Sequence, residues 1–151
     1  MSQDKYDVLK LGNQLCFPLY ACSREIIKKY KPCLDKLNLT YTQYITMLVL
    51  WEKRTLTAKE LGDILHLDSG TLTPLLKKLE CKGLLIRRRS EADERNLIVT
   101  VTENGEALKE KAMPIPETVK NSFNLTEEEA KTLYRILYRI IGQAEAELEI
   151  D

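Results

Sequence analysis

Apolar residues recur along this chain at helical spacing over most of its length. Across residues 7–31, Leu11, Leu15, Leu19, Cys22 and Ile26 follow one another at intervals of four, four, three and four, which predicts one helix with a continuous buried stripe. Phe17, Tyr20 and Ile27 widen that stripe beyond one face, so the helix calls for cover on two sides, one of them supplied by a second chain. Pro18 inside the pattern predicts a lost hydrogen bond to the Gln14 carbonyl and a bend just past Cys16. Pro32 predicts the end of this helix, with residues 33–38 a connector or a short helical turn. Residues 41–51 (YTQYITMLVLW), apolar at 44, 45, 47, 48, 50 and 51, read as a core helix.

The pattern changes character between residues 54 and 101. Residues 57–65 predict a short helix capped by Thr57, with Glu60 three residues on to close a capping box. After a break at His66 and Leu67, Asp68 or Ser69 caps a second helix within DSGTLTPLLKKLECK (residues 68–82). Leu72, Leu75, Leu76 and Leu79 form its buried stripe, Ser69, Thr71, Thr73, Lys77 and Lys78 its open face, and Gly83 its stop. Two β-branched, basic runs follow, LLIRRR at 84–89 and NLIVTV at 96–101, joined by SEADER. Helix, break, helix and hairpin make a winged helix-turn-helix pattern. Small hydroxyl residues opening the second helix suit base edges and phosphates in a major groove. Arg95 near the hairpin tip suits the narrow, negative minor groove.

Beyond the hairpin, Thr102 caps a helix that Pro114 and Pro116 interrupt. Thr126 caps another over residues 127–148, carrying Leu133, Ile136, Leu137, Ile140, Ile141 and Ala144. That stripe has nothing obvious within the chain to bury it, as expected of a dimerisation helix. A dimer also fits DNA, because twofold proteins read two half-sites about one helical turn apart.

At 151 residues, 44% hydrophobic and 30% charged, the composition is that of an ordinary soluble globular protein. With neither an apolar leader nor an apolar run near membrane length, the cytoplasm is the expected compartment. The zero net charge hides a polarity. Residues 77–95 hold seven basic and four acidic side chains, whereas residues 125–151 hold three basic and seven acidic. Positive charge therefore gathers where the motif predicts DNA.

Four cysteines, Cys16, Cys22, Cys33 and Cys81, are expected reduced in that compartment unless one is a sensor. One histidine, His66, and no paired-cysteine motif argue against zinc, and no cofactor is expected. On spacing alone each cysteine reads as packing, and His66 as a turn residue. Tyr134 and Tyr138 read as interface packing.

DERN (93–96) followed by LIVTVTENG (97–105) resembles the wing of the MarR family of winged-helix repressors. NQLCF (13–17), LY (19–20), YKP (30–32), LTY (39–41) and LDSGTLTPLLKKLE (67–80) are similar to its branch of organic-hydroperoxide and thiol-stress sensors, the OhrR/SarZ/MgrA group. The resemblance implies a mainly α fold with a small β-hairpin wing. It implies one domain over 1–151, with 54–101 binding DNA and 7–38 and 103–151 dimerising. It further implies that Cys16 is the oxidation sensor, in a pocket with Tyr30 and Tyr41 from the other subunit and with Phe17 and Tyr20. Asp68, Ser69, Thr71, Pro74 and Lys77 would meet DNA, with Arg87 added from the basic strand; Arg95 would enter the minor groove, oriented by Asp93. The partners implied are operator DNA, a second copy of the chain, and an organic hydroperoxide or small thiol.

No cysteine follows Cys81, which favours a one-cysteine route through a sulfenic acid. Cys22 lies about 9 Å along the helix from Cys16, beyond the roughly 7 Å that a disulfide tolerates; pairing with Cys22 or Cys33 across a dimer stays open. No Lys, Arg or His stands within four residues of Cys16, so hydroxyl donors from elsewhere must stabilise a thiolate. Two rivals remain: release by a small aromatic ligand, and a thiol peroxidase using these helices as scaffold.

Overall fold

The computed structural model describes residues 4–142. Two 3-10 turns, Asp7–Leu9 and Leu11–Asn13, precede α1 (Cys16–Asp35), α2 (Tyr41–Lys53), β1 (Thr55–Thr57), α3 (Ala58–Leu65) and α4 (Ser69–Cys81). Then come β2 (Leu85–Arg89), β3 (Leu97–Val101), α5 (Glu103–Ala112), α6 (Ile115–Lys120) and α7 (Glu127–Ile141). The chain forms two compact units, Met1–Glu117 and Thr118–Asp151. Among the described residues no helix is long and apolar enough to cross a membrane.

The first unit is mainly helical with one small antiparallel sheet in the order β1-β3-β2. Thr55 to Thr57 make a third strand that the sequence reading missed, pairing Leu56 with Val99. The wing register sets Leu85 opposite Val101 and Arg87 opposite Val99. Alternation then sends Leu56, Leu85 and Val99 inward. They join Met47, Leu50, Leu61, Leu76 and Leu79, all buried, so α2, α3, α4 and the sheet share one core. Leu48, expected in that core, is exposed. Gln43, Thr46 and Val49 are buried instead, because the helix turns its third face inward.

The capping chemistry agrees with the sequence. Thr57 and Glu60 close a capping box on α3, Asp68 accepts the Thr71 N–H at 2.8 Å, and Thr102 and Thr126 cap α5 and α7. Between α3 and α4, His66 takes the left-handed conformation at φ 54°. A Cβ on Gly62 would lie 2.9 Å from the Leu67 carbonyl, so this turn is tight. Gly105 has a like function: a Cβ there would meet the Leu84 carbonyl at 2.2 Å. That approach lets the buried Trp51 indole donate to the Gly105 carbonyl at 2.8 Å, fastening α5 to α2.

Four expectations need correction. The first helix begins at Cys16 rather than residue 7, because the Asn13 and Gln14 side-chain amides hold the carbonyls of Asp7, Val8 and Lys10 in the preceding turns. Pro18 thus falls in the first turn, where its missing N–H would have had no helical partner, and it requires no bend. Pro32 does not end the helix, which continues to Asp35; the stop is Asn38, left-handed at φ 53°, a conformation asparagine tolerates. Finally, α7 stops at Ile141, where Gly142 turns left-handed at φ 81°. The predicted extension over residues 143–148, with Ala144, lies outside the described residues.

Candidate functional site

Cys16 is the first residue of α1 and is exposed. Helical periodicity places Cys16 mid-helix, whereas it opens α1; Pro18 two residues on is the sequence signal for that start. Leu15 and Leu11 are among the most exposed apolar residues, and Phe17 and Tyr20 are open too. The Arg24 guanidinium lies over the Tyr20 ring at 5.6 Å and donates to its hydroxyl at 2.7 Å. The surroundings of the thiol are therefore apolar and uncovered.

Tyr30 and Tyr41 meet, with ring centroids 5.0 Å apart. Tyr44, not singled out in the sequence, joins them at 5.7 Å from Tyr30 and 6.5 Å from Tyr41. Burial raises the pKa of all three, that of Tyr44 from 10.0 to about 12. Each hydroxyl stays protonated at neutral pH and so can donate to an anion. Cys16 and Tyr30 share α1, fourteen residues apart, which is roughly 21 Å along the helix at about 1.5 Å per residue. The pair cannot meet within one chain.

The second cluster is the open face of α4 with the hairpin. Ser69, Thr71, Pro74 and Lys77 are exposed, as is the cap Asp68; the Thr73 hydroxyl is turned back to the Ser69 carbonyl at 2.8 Å. At the wing, Arg95 is 90% exposed. Its Nε and Nη2 donate to the two Asp93 oxygens at 3.1 and 3.2 Å, and its backbone N–H to Oδ1 at 3.1 Å. These bonds hold the Asp93 carboxyl below its usual pKa and fix the direction of the guanidinium. Arg87 differs from the expected DNA contact. Only 19% exposed, it is paired with Glu80 of α4 at 2.8 Å, so its charge is engaged inside the protein. Among the described residues no group of three His, Cys, Asp or Glu converges as a metal would require.

Residues 28–112 match the family model of the transcriptional regulator SarA/Rot. The chain is 53% identical over 139 residues to the organic hydroperoxide resistance transcriptional regulator of Bacillus subtilis strain 168, covering 92% of this chain and 95% of that protein. It is 47% identical over 131 residues to the HTH-type transcriptional regulator SarZ of Staphylococcus epidermidis, covering 87% and 88%. Among solved structures, that of reduced AbfR bound to DNA aligns with a TM-score of 0.74 and 36% identity, covering 91% of this chain and 96% of that one. At such identity and coverage, the chain belongs to the MarR/SarA-type winged-helix transcriptional regulators.

Proposed function

We propose that this chain is a redox-sensing repressor that binds operator DNA as a homodimer and lets go when Cys16 is oxidised by an organic hydroperoxide. The relative named for organic hydroperoxide resistance and the DNA-bound AbfR support a DNA-binding regulator that answers to oxidation. The observation that carries the reading is the roughly 21 Å along α1 between Cys16 and Tyr30. An exposed thiol in an apolar setting at one end, and neutral tyrosine donors at the other, form a pocket only when two chains contribute opposite ends. Exposed Leu15, Phe17 and Tyr20 at the thiol, and exposed Leu133, Ile136 and Ile140 on α7, are the apolar surfaces for residues 7–38 and 103–151 to bury in a dimer.

The chemistry follows from these groups. The Cys16 thiolate attacks one peroxide oxygen and the O–O bond breaks. The alkoxide leaves and takes a proton to become an alcohol, and the sulfur, oxidised by two electrons, becomes a sulfenic acid. A small thiol can then displace water to give a mixed disulfide. The added bulk displaces the tyrosines and, with them, the spacing of two α4 helices that must enter successive major grooves. Ser69, Thr71, Pro74 and Lys77 face DNA, with Asp68 at the cap and Arg95, oriented by Asp93, in the minor groove. Arg87 contributes by holding the wing to α4.

To test this, operator affinity of wild type and Cys16→Ser is compared with and without cumene hydroperoxide. Wild type should release DNA and the variant should hold it; release by both removes Cys16 as the sensor. A second reading has one observation in its favour. A groove of about 330 Å³ between α3, α4 and β3, with Leu67, Leu72 and Leu97 along it and Lys59, Asp63 and Ser69 at its edge, has the size of a small-ligand site. Release of DNA by a phenolic acid under reducing conditions would favour ligand control.

A further inference from the structure

Lys82 follows the last residue of α4, in the same basic run as Lys77 and Lys78. Its ammonium is turned away from the open face. It donates to the Asn38 carbonyl and, at 2.9 Å, to Oε1 of Gln43. Asn38 is the left-handed residue that closes the corner between α1 and α2. Gln43 is 3% exposed, and the same Oε1 accepts the Thr40 N–H at 3.1 Å, while the Gln43 N–H donates to the Thr40 hydroxyl. Tyr41 stands inside this capping box as the first residue of α2. One ammonium therefore joins the end of α1, the tyrosine-bearing start of α2 and the end of α4.

We infer that Lys82 is a positioning residue that carries displacement of the Tyr41 end of α2 to the recognition helix, a role that rests on the sensor reading of Tyr41. Apolar contacts between α2 and α4 can slide by fractions of an ångström at little cost. A charged hydrogen bond to a buried amide is stronger than a neutral one and prefers a defined distance and direction. The Gln43 oxygen that receives the ammonium also serves the cap of α2. Partial burial and the nearby Lys78 hold the Lys82 pKa below that of an ordinary lysine. Its place at the C-terminal end of α4 also complements that helix dipole.

The test uses the full-length reduced protein without DNA and follows hydrogen exchange in the last turn of α4. Tyr41→Ala should speed exchange there by about fivefold or more in the wild-type background, the low end of ordinary coupling between sites. In the Lys82→Met background the same change should add little, and Lys82→Arg should restore its effect. Equal acceleration in both backgrounds, or none in either, overturns the inference. A second measurement compares operator affinity before and after cumene hydroperoxide, with Cys16 oxidation matched by intact mass. Lys82→Met should lose several-fold less affinity on oxidation than wild type, and an equal loss overturns the inference. Should wild type itself keep DNA with Cys16 oxidised, the redox reading fails, and the exchange result still decides for or against Lys82.

Discussion

Arg87 of the wing and Glu80 of the recognition helix are joined by three hydrogen bonds. Arg87 Nε and Nη2 donate to Oε2 at 3.1 and 2.8 Å, and the Arg87 backbone N–H donates to Oε1 at 3.0 Å. The contact sets the angle at which the hairpin leaves α4, and hence whether the wing and the helix reach adjacent grooves together. Glu80→Gln and Arg87→Ala should each weaken operator binding several-fold while leaving its dependence on salt almost unchanged, since no phosphate contact is lost. Fluorescence anisotropy across a potassium chloride series makes the distinction; a shallower salt slope for Arg87→Ala would mean that Arg87 touches DNA directly.

The same pair predicts an acid response. Hydrogen bonds from Arg87 hold the Glu80 carboxyl below its ordinary value of 4.5. A depressed carboxyl stabilises the fold fully above 4.5 and loses that contribution as pH falls through the lower folded value. The Arg87 Nε proton signal should therefore titrate with a midpoint below 4.5, and Glu80→Gln should abolish that titration.

Arg95 is expected to behave oppositely to Arg87. Its exposed guanidinium, held by Asp93, is free to neutralise backbone charge or enter the minor groove. Arg95→Ala should cost about 1–3 kcal/mol of operator binding and reduce the salt slope by about 1 per half-site. Asp93→Asn should weaken binding less and keep the slope, because the charge remains and only its orientation is relaxed.

The tyrosine cluster predicts an alkaline limit. Burial raises Tyr44 from 10.0 to about 12, with Tyr30 and Tyr41 shifted in the same direction. The stability tied to their neutral hydroxyls is whole below 10 and falls away as pH rises from 10 towards 12. Tyrosinate absorbance and circular dichroism should change together in that interval. Tyr44→Phe should move the transition to higher pH.

Ile140 on α7 is 59% exposed and belongs to the stripe assigned to dimerisation. Ile140→Glu should shift the protein towards monomer in sedimentation velocity. It should also weaken operator binding well over tenfold, because one half-site cannot supply the contacts of two. A dimer that persists unchanged would place the interface elsewhere.

Much of this protein was legible in its residue order because the information was local. Thr57 with Glu60, Asp68 with Thr71 and Thr126 with Glu129 lie three residues apart, so a capping rule reads them directly. The leucines of α4 declare its buried stripe through spacing alone. Cys16, Ser69 and Arg95 were singled out by motif, and all three are exposed. The start of α1 was misread because the decisive hydrogen bonds come from Asn13 and Gln14 folding back onto a segment with helical periodicity of its own. The strand at Thr55–Thr57 escaped because three residues carry too little periodicity until β3 arrives to pair with them.

By itself the order of residues determined the helices, their caps, the hairpin and the chemical character of the thiol and the wing, all of which depend on neighbours within about one helical turn. Tertiary structure alone decided that Arg87 answers Glu80, that Tyr44 joins Tyr30 and Tyr41, and that Lys82 reaches back to Asn38 and Gln43. In the last case, residues 39 and 44 positions apart are brought to hydrogen-bonding distance by burial of a common core. No local rule encodes that meeting, because which charged groups converge is settled only once Met47, Leu50, Leu76 and Val99 have packed.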